Sequence, residues 1–126
     1  MIIDDDLVDR MVCKRLLNSQ HLAEELVFFS DAEAALQSME TEGEQHADVI
    51  LLDINMPRMN GLEFLEALQS SNKIQFSGRI AVMMSVNLTS KMRAAIEQMP
   101  AVSGFLAKPL TTVDLLASGV MAGAAK

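Results

Sequence analysis

The stretch VILLDINMPRMNG, residues 49–61, decides the fold. Val49 to Leu52 form an apolar run, Asp53 ends it, and Pro57 and Gly61 interrupt the chain just beyond. A short run bounded by turn formers reads as a strand buried on both faces. Asp53 then stands at the strand's carboxyl end, where open parallel α/β sheets place their ligands. No basic partner comes directly after it, and a carboxylate in that position is costly unless something binds it. The plainer alternative is an aspartate that caps the next turn, so the rest of the chain has to decide.

Upstream, Met1 to Ile3 form a short apolar strand that runs into Asp4, Asp5 and Asp6. Val8, Met11, Val12 and Leu16 recur at i, i+3, i+4 and i+8, which predicts an amphipathic helix ending near Ser19. Leu26 to Phe29 read as a second strand. Ser30 with Glu33 reads as a capping box, ahead of a helix with the buried stripe Ala32, Ala35, Leu36 and Met39. The polar segment TEGEQH, residues 41–46, is expected as a surface loop.

Downstream, Asn60 and Glu63 repeat the box before a helix carried by Leu62, Leu65 and Leu68. Gly78 precedes RIAVMMS, a fourth strand ending at Ser85. Met92, Ala95, Ile96 and Met99 mark a fourth helix, closed by Pro100 because proline cannot continue a helix interior. Ser103 to Ala107 form a fifth strand ending at Lys108-Pro109. Thr111 with Asp114 caps a last helix, with the stripe Val113, Leu116, Ala117 and Val120. Five strands thus alternate strictly with five helices. That alternation predicts an α/β fold: a parallel sheet with right-handed crossovers and helices on both faces.

Composition narrows the function. At 126 residues the chain is read as one domain, residues 1–126, with half its residues apolar. No apolar run approaches the length of a membrane span. The start, MIIDDD, lacks the basic segment and long apolar stretch of a secretory signal. The one cysteine, Cys13, has no internal disulfide partner and reads as a small core residue, so a cytoplasmic location is expected. A net charge of −7 without any basic stripe argues against direct nucleic-acid binding. His21 and His46 lie far apart with no further ligand at metal spacing, and no G-x-S-x-G turn supports serine catalysis.

The polar residues left at strand ends are Asp4 and Asp5, Asp53, Ser85 and Lys108. In a flavodoxin-like strand order 2-1-3-4-5 their strands are neighbours, and the five side chains converge on one pocket. Crowded carboxylates repel and raise one another's pKa values. A hard divalent cation resolves that, and Mg2+ commonly takes one or two carboxylates plus waters and phosphate oxygens. Lys108 adds a point charge and Ser85 a hydroxyl for the same oxygens. With cations in place Asp53 is a competent nucleophile toward phosphorus, giving an aspartyl phosphate.

These residues resemble a known family, the receiver domain of two-component response regulators. The resemblance covers essentially the whole chain and rests on IIDDD, LLDINMPRMNG, MMS and GFLAKPL, in order. It implies the flavodoxin-like doubly wound sandwich with sheet order 2-1-3-4-5. It also implies Mg2+ as cofactor, with Asp5 as direct ligand, Asp4 acting mainly through water, and Asn55 lending its backbone carbonyl beside Asp53. Asp53 matches the phosphoacceptor. Ser85 matches the Thr/Ser that moves with the phosphoryl group, with Val86 beside it, and Phe105 matches the aromatic that swings inward. Lys108 matches the phosphoryl-contacting lysine, and its bond to Pro109 is expected to be cis. Asp6, at the next and variable position, reads as a solvated turn residue. The implied donor is a sensor histidine kinase or histidine phosphotransfer protein, and the output is a downstream effector.

Three features depart from that pattern. Val86 stands where a small residue is usual and could narrow access to Asp53. The first strand is short. The last helix carries only Asp114 before Lys126 as charges, so its apolar face suggests a partner or a homodimer surface. These departures keep a second reading open, a degenerate receiver acting as a phosphorylation-independent interaction module. A haloacid-dehalogenase-type phosphatase wants an acid two residues after its nucleophile, where this chain has Asn55. A flavin site is disfavoured by the acidic loop after the first strand, which repels phosphate.

Overall fold

The structure is a computed structural model and describes residues 1–41, 47–84 and 88–121. The strands β1 (Ile2–Ile3), β2 (Phe28–Phe29), β3 (Val49–Asp53), β4 (Arg79–Met84) and β5 (Val102–Ala107) form one sheet. They alternate with α1 (Leu7–Ser19), α2 (Ala32–Thr41), α3 (Gly61–Ser70), α4 (Ser90–Glu97) and α5 (Thr112–Ala117). All pairings are parallel and the order is β2-β1-β3-β4-β5, the flavodoxin-like doubly wound arrangement. β1 has two residues yet pairs on both sides, Ile2 with Phe28 and Leu51, and Ile3 with Phe29 and Leu52. The β4–β5 register slips between Ile80 and Ala81, which sets Phe105 opposite Val82 and Ala107 opposite Met84.

Successive strand side chains point to opposite faces, and this alternation divides the core. Ile3, Ile50, Leu52, Ile80 and Val82 pack with residues of α2, α3 and α4, among them Met39, Phe64 and Ile96. Ile2, Leu51, Ala81, Met83 and Leu106 pack on the other face with Cys13 and Leu17 of α1 and Leu115 of α5. Because both faces are covered, the central strands read as unbroken apolar runs.

Several local expectations are corrected. In α1 the buried residues are Cys13 and Leu17, while Val8 and Met11 of the expected stripe are 66% and 54% exposed. Both stripes satisfy the helical period, and the one that packs on the sheet is Cys13 and Leu17, while Asp6 closes the helix start. Its Oδ1 accepts from the Val8 N–H at 2.8 Å and the Asp9 N–H at 3.3 Å, so this exposed residue also caps the helix. α2 is capped by Asp31, which accepts from the Ala34 N–H at 2.7 Å, one residue beyond the expected Ser30–Glu33 box. β2 is limited to Phe28–Phe29 rather than starting at Leu26.

The Asn60–Glu63 box of α3 is in place, and Phe64, absent from the expected stripe, is fully buried beside Leu65 and Leu68. α4 ends at Glu97, ahead of Pro100, with Ile96 buried and Ala95 exposed. Thr111 caps α5 by accepting from the Asp114 N–H at 3.1 Å. The expected α5 stripe is turned outward: Leu115 is buried, whereas Val113, Leu116 and Ala117 face solvent. The helix is only six residues long, and Gly119, with φ at +74°, bends the chain so that Val120 returns to the core. Residues 42–46 of the expected loop with His46, the expected strand end Ser85 with Val86 and Asn87, and Lys126 lie outside the described residues. No described helix is long and apolar enough to cross a membrane.

Candidate functional site

β1 and β3 are adjacent and in register, so the residues just after Ile3 and Leu52 stand side by side at the carboxyl edge. Asp4 and Asp53 are both buried there, at 0% and 2% exposure, while Asp5 is exposed. Carboxylate oxygens of these three residues lie within 4.8 Å of one another. Asp4 cannot easily retreat. Its N–H donates to the Phe29 carbonyl at 3.0 Å, and its own carbonyl accepts from Arg10 Nη1 at 2.7 Å. Asp4 Oδ1 accepts the Asp6 N–H at 3.0 Å, and Asp53 Oδ1 accepts the Asn55 N–H at 3.3 Å.

Lys108 closes the cluster from the end of β5, where its N–H donates to the Met84 carbonyl at 2.9 Å. Its Nζ lies 2.7 Å from Asp4 Oδ2, 2.9 Å from Asp9 Oδ2 and 3.1 Å from Asp53 Oδ1. The Lys108–Pro109 peptide is cis. α3 meets the same edge closely: a Cβ on Gly61 would lie 2.8 Å from Ile54 Cα and 2.9 Å from the Asp53 carbonyl oxygen. Only glycine lets the helix start this near the strand end.

Burial, and then the charge of Asp4, push the Asp53 carboxyl up to about 6; the Lys108 ammonium opposes this only in part. Burial alone would lower Lys108, but its contacts with Asp4, Asp9 and Asp53 outweigh that and hold it well above the usual lysine range. Asp4 Oδ2, although close to the ammonium, is buried and accepts no hydrogen bond from the described residues. Asp4, Asp9 and Asp53 share that one ammonium, so negative charge is left uncompensated. Three clustered carboxylates with excess negative charge are the donor set of a hard divalent cation, so these residues fit Mg2+.

Asp4, Asp5, Asp53 and Lys108 are therefore brought together, with Asn55 two residues beyond Asp53. Phe105 is half-buried against the α2–α4 cluster, and the Arg93 guanidinium lies 4.3 Å from its ring centroid. Ser85 and Val86 lie outside the described residues. Sequence reasoning missed three residues. Asp9 looks like one more acid on an exposed helix, and nothing local announces its reach of 99 residues to Lys108. Arg10 and Arg93 look like ordinary helix-surface cations, and their bonds to the Asp4 carbonyl and the Phe105 ring arise only from the topology.

A sequence profile described as the response regulator receiver domain matches residues 1–118. The chain belongs to this family. This receiver domain is 32% identical over 116 residues to the sensory/regulatory protein RpfC of Xanthomonas campestris, covering 92% of the chain and 15% of that protein. It is 33% identical, again over 92% of the chain, to the nitrate/nitrite response regulator protein NarL of Escherichia coli. The chain spans about half the length of NarL and far less of RpfC. Among solved structures, chemotaxis protein CheY4 of Vibrio cholerae superposes with a TM-score of 0.73 at 26% identity, covering 93% of this chain and 91% of that one. Receiver domains bind Mg2+ in an acidic pocket, and the Asp4–Asp5–Asp53 cluster could hold such an ion.

Proposed function

We propose that this receiver domain accepts a phosphoryl group on Asp53 in a two-component phosphorelay. The observation that carries the reading is the buried Asp4–Asp53 pair, whose two carboxylates share the Lys108 ammonium. Asp4, Asp5, Asp53 and the backbone carbonyl of Asn55 would hold Mg2+. When bound, the cation neutralises the carboxylates and the oxygens of the incoming phosphoryl group.

The chain's own residues do the rest. An Asp53 carboxylate oxygen attacks phosphorus of a phosphohistidine on a sensor histidine kinase or histidine phosphotransfer protein. The P–N bond breaks, its electron pair stays on the imidazole nitrogen, and a mixed anhydride forms on Asp53. Lys108 holds a phosphoryl oxygen as a point charge. Ser85, beside Val86, turns toward the same oxygens, Phe105 moves with it, and the surface of α4, β5 and α5 changes its affinity for an effector. The buried, unpaired Cys13 suits a reducing cytoplasm.

Intact mass after incubation with Mg2+ and acetyl phosphate tests this. One added phosphoryl group is expected, absent in Asp53→Asn and absent after chelation. Exposed Val113 and Leu116 on α5 favour a second reading, a phosphorylation-independent interaction module that could pair as a homodimer through that helix. An unmodified wild-type mass in excess donor would favour that module and overturn the first reading.

A further inference from the structure

Lys108 has a third carboxylate partner outside the cluster that fits the cation. Asp9 lies in the first turn of α1, and its Oδ2 accepts a hydrogen bond from Lys108 Nζ at 2.9 Å. The ammonium is also ion-paired with Asp4 Oδ2, at 2.7 Å, on the buried side of the cluster. Lys108 is thus shared between the reacting carboxylate, at 3.1 Å, and a carboxylate on the helix, at 2.9 Å. Asp9 is itself tethered by its N–H to the capping Asp6 and has 29% side-chain exposure, so water can replace the lysine there. Asp4 has no access to water, and Asp53 becomes the anhydride. When a phosphoryl oxygen needs a donor from Lys108, Asp9 is the partner with the least to lose.

We propose that Asp9 is a positioning residue that competes with the phosphoryl group for Lys108, and so restrains phosphoryl acceptance at Asp53. The proposal rests on the receiver reading above. Its physical content is a choice of acceptor. An ammonium has three N–H donors, and one drawn to a charged oxygen on α1 is withheld from the phosphoryl oxygens until that bond breaks. The effect is modest, because a partly exposed ion pair contributes little.

The test compares Asp9→Asn, Asp9→Glu and wild type. Phosphoryl uptake from acetyl phosphate at fixed Mg2+ is monitored by intact mass. Affinity for beryllofluoride, a phosphoryl mimic that is not turned over, is measured by calorimetry. Asp9→Asn is expected to take up phosphoryl three- to tenfold faster and to bind the mimic tighter by a similar factor. Asp9→Glu, which restores the charge, should stay within about twofold of wild type, in line with a small surface ion-pair effect. The gain must vanish when Asp9→Asn is combined with Lys108→Ala, since it acts through the ammonium. Unchanged or slower uptake and unchanged mimic affinity in Asp9→Asn would overturn the proposal, leaving Asp9 only the role of an acid at a helix start. If wild type is neither modified nor able to bind the mimic, the receiver reading fails first, and this inference falls with it.

Discussion

Replacing Asp53 by asparagine should make the metal-free protein more stable. In the folded chain burial and Asp4 raise the Asp53 carboxyl from 3.8 to about 6. A raised carboxylate pKa means that the charged form is disfavoured in the fold, so the cost is present above pH 6, shrinks as pH falls through 6, and is gone below 3.8. That rise corresponds to about 3 kcal/mol. Asparagine keeps the shape and can still accept the Asn55 N–H. The lost Lys108 contact at 3.1 Å is already counted in the raised pKa, but the amide brings a buried NH2 group that must find acceptors, which offsets part of the gain. A net gain of about 1–2 kcal/mol is then expected, raising the midpoint at pH 8 by roughly 4–8 °C for a domain of this size. Circular dichroism is the suitable assay, since the chain has no Trp or Tyr. With a chelator present, the gap between the Asp53→Asn variant and wild type should be largest at pH 8 and nearly closed at pH 4.5. Mg2+ at saturation should raise wild type alone. A variant less stable than wild type at pH 8, or a gap that does not change with pH, would refute the electrostatic account.

The same carboxyl predicts that Mg2+ affinity, read by calorimetry, falls roughly tenfold per pH unit below about 6, because the cation must displace a proton. Phe64→Ala removes a fully buried ring from the α2–α4 cluster and should cost about 3–5 kcal/mol in urea unfolding. At Gly78 a Cβ would overlap the Asp48 carbonyl, so Gly78→Ala should destabilise by about 1–3 kcal/mol despite adding a single methyl group. Arg93→Ala uncovers the Phe105 ring and should cost only about 0.5–1 kcal/mol, read by the same unfolding assay.

The sequence was most legible where one residue type admits one reading. The run Val49–Leu52 must be a doubly covered strand, and its partners in alternation require a parallel sheet. Capping signals were sound at Asn60 and Thr111 because the side chain that bonds N3 is the one that reads as a cap. Helix faces were less legible. α1 carries two overlapping apolar stripes, and the choice between them depends on how the helix packs on the sheet rather than on hydropathy. In α5 the helix is too short for periodicity to discriminate, and Leu115 wins the core place over Leu116. The acidic pocket could be anticipated from strand ends, because those are neighbours in the sheet. The Asp9–Lys108 and Arg10–Asp4 contacts could not, since each joins a helix surface to a strand end by three-dimensional proximity alone.

The alternation that divides the core has an evolutionary consequence. Phe64 and Leu115 belong to separate clusters with the sheet backbone between them. Changes on one face should therefore add to changes on the other rather than interfere. A lineage can rewrite the buried residues of α1 and α5 to suit a new associate while leaving the packing beneath α2, α3 and α4 untouched, and the reverse holds equally. Lys108 and its carboxylates sit at the rim where both layers end, so each core can drift while the chemistry stays fixed, provided α1 keeps Asp9 and Arg10.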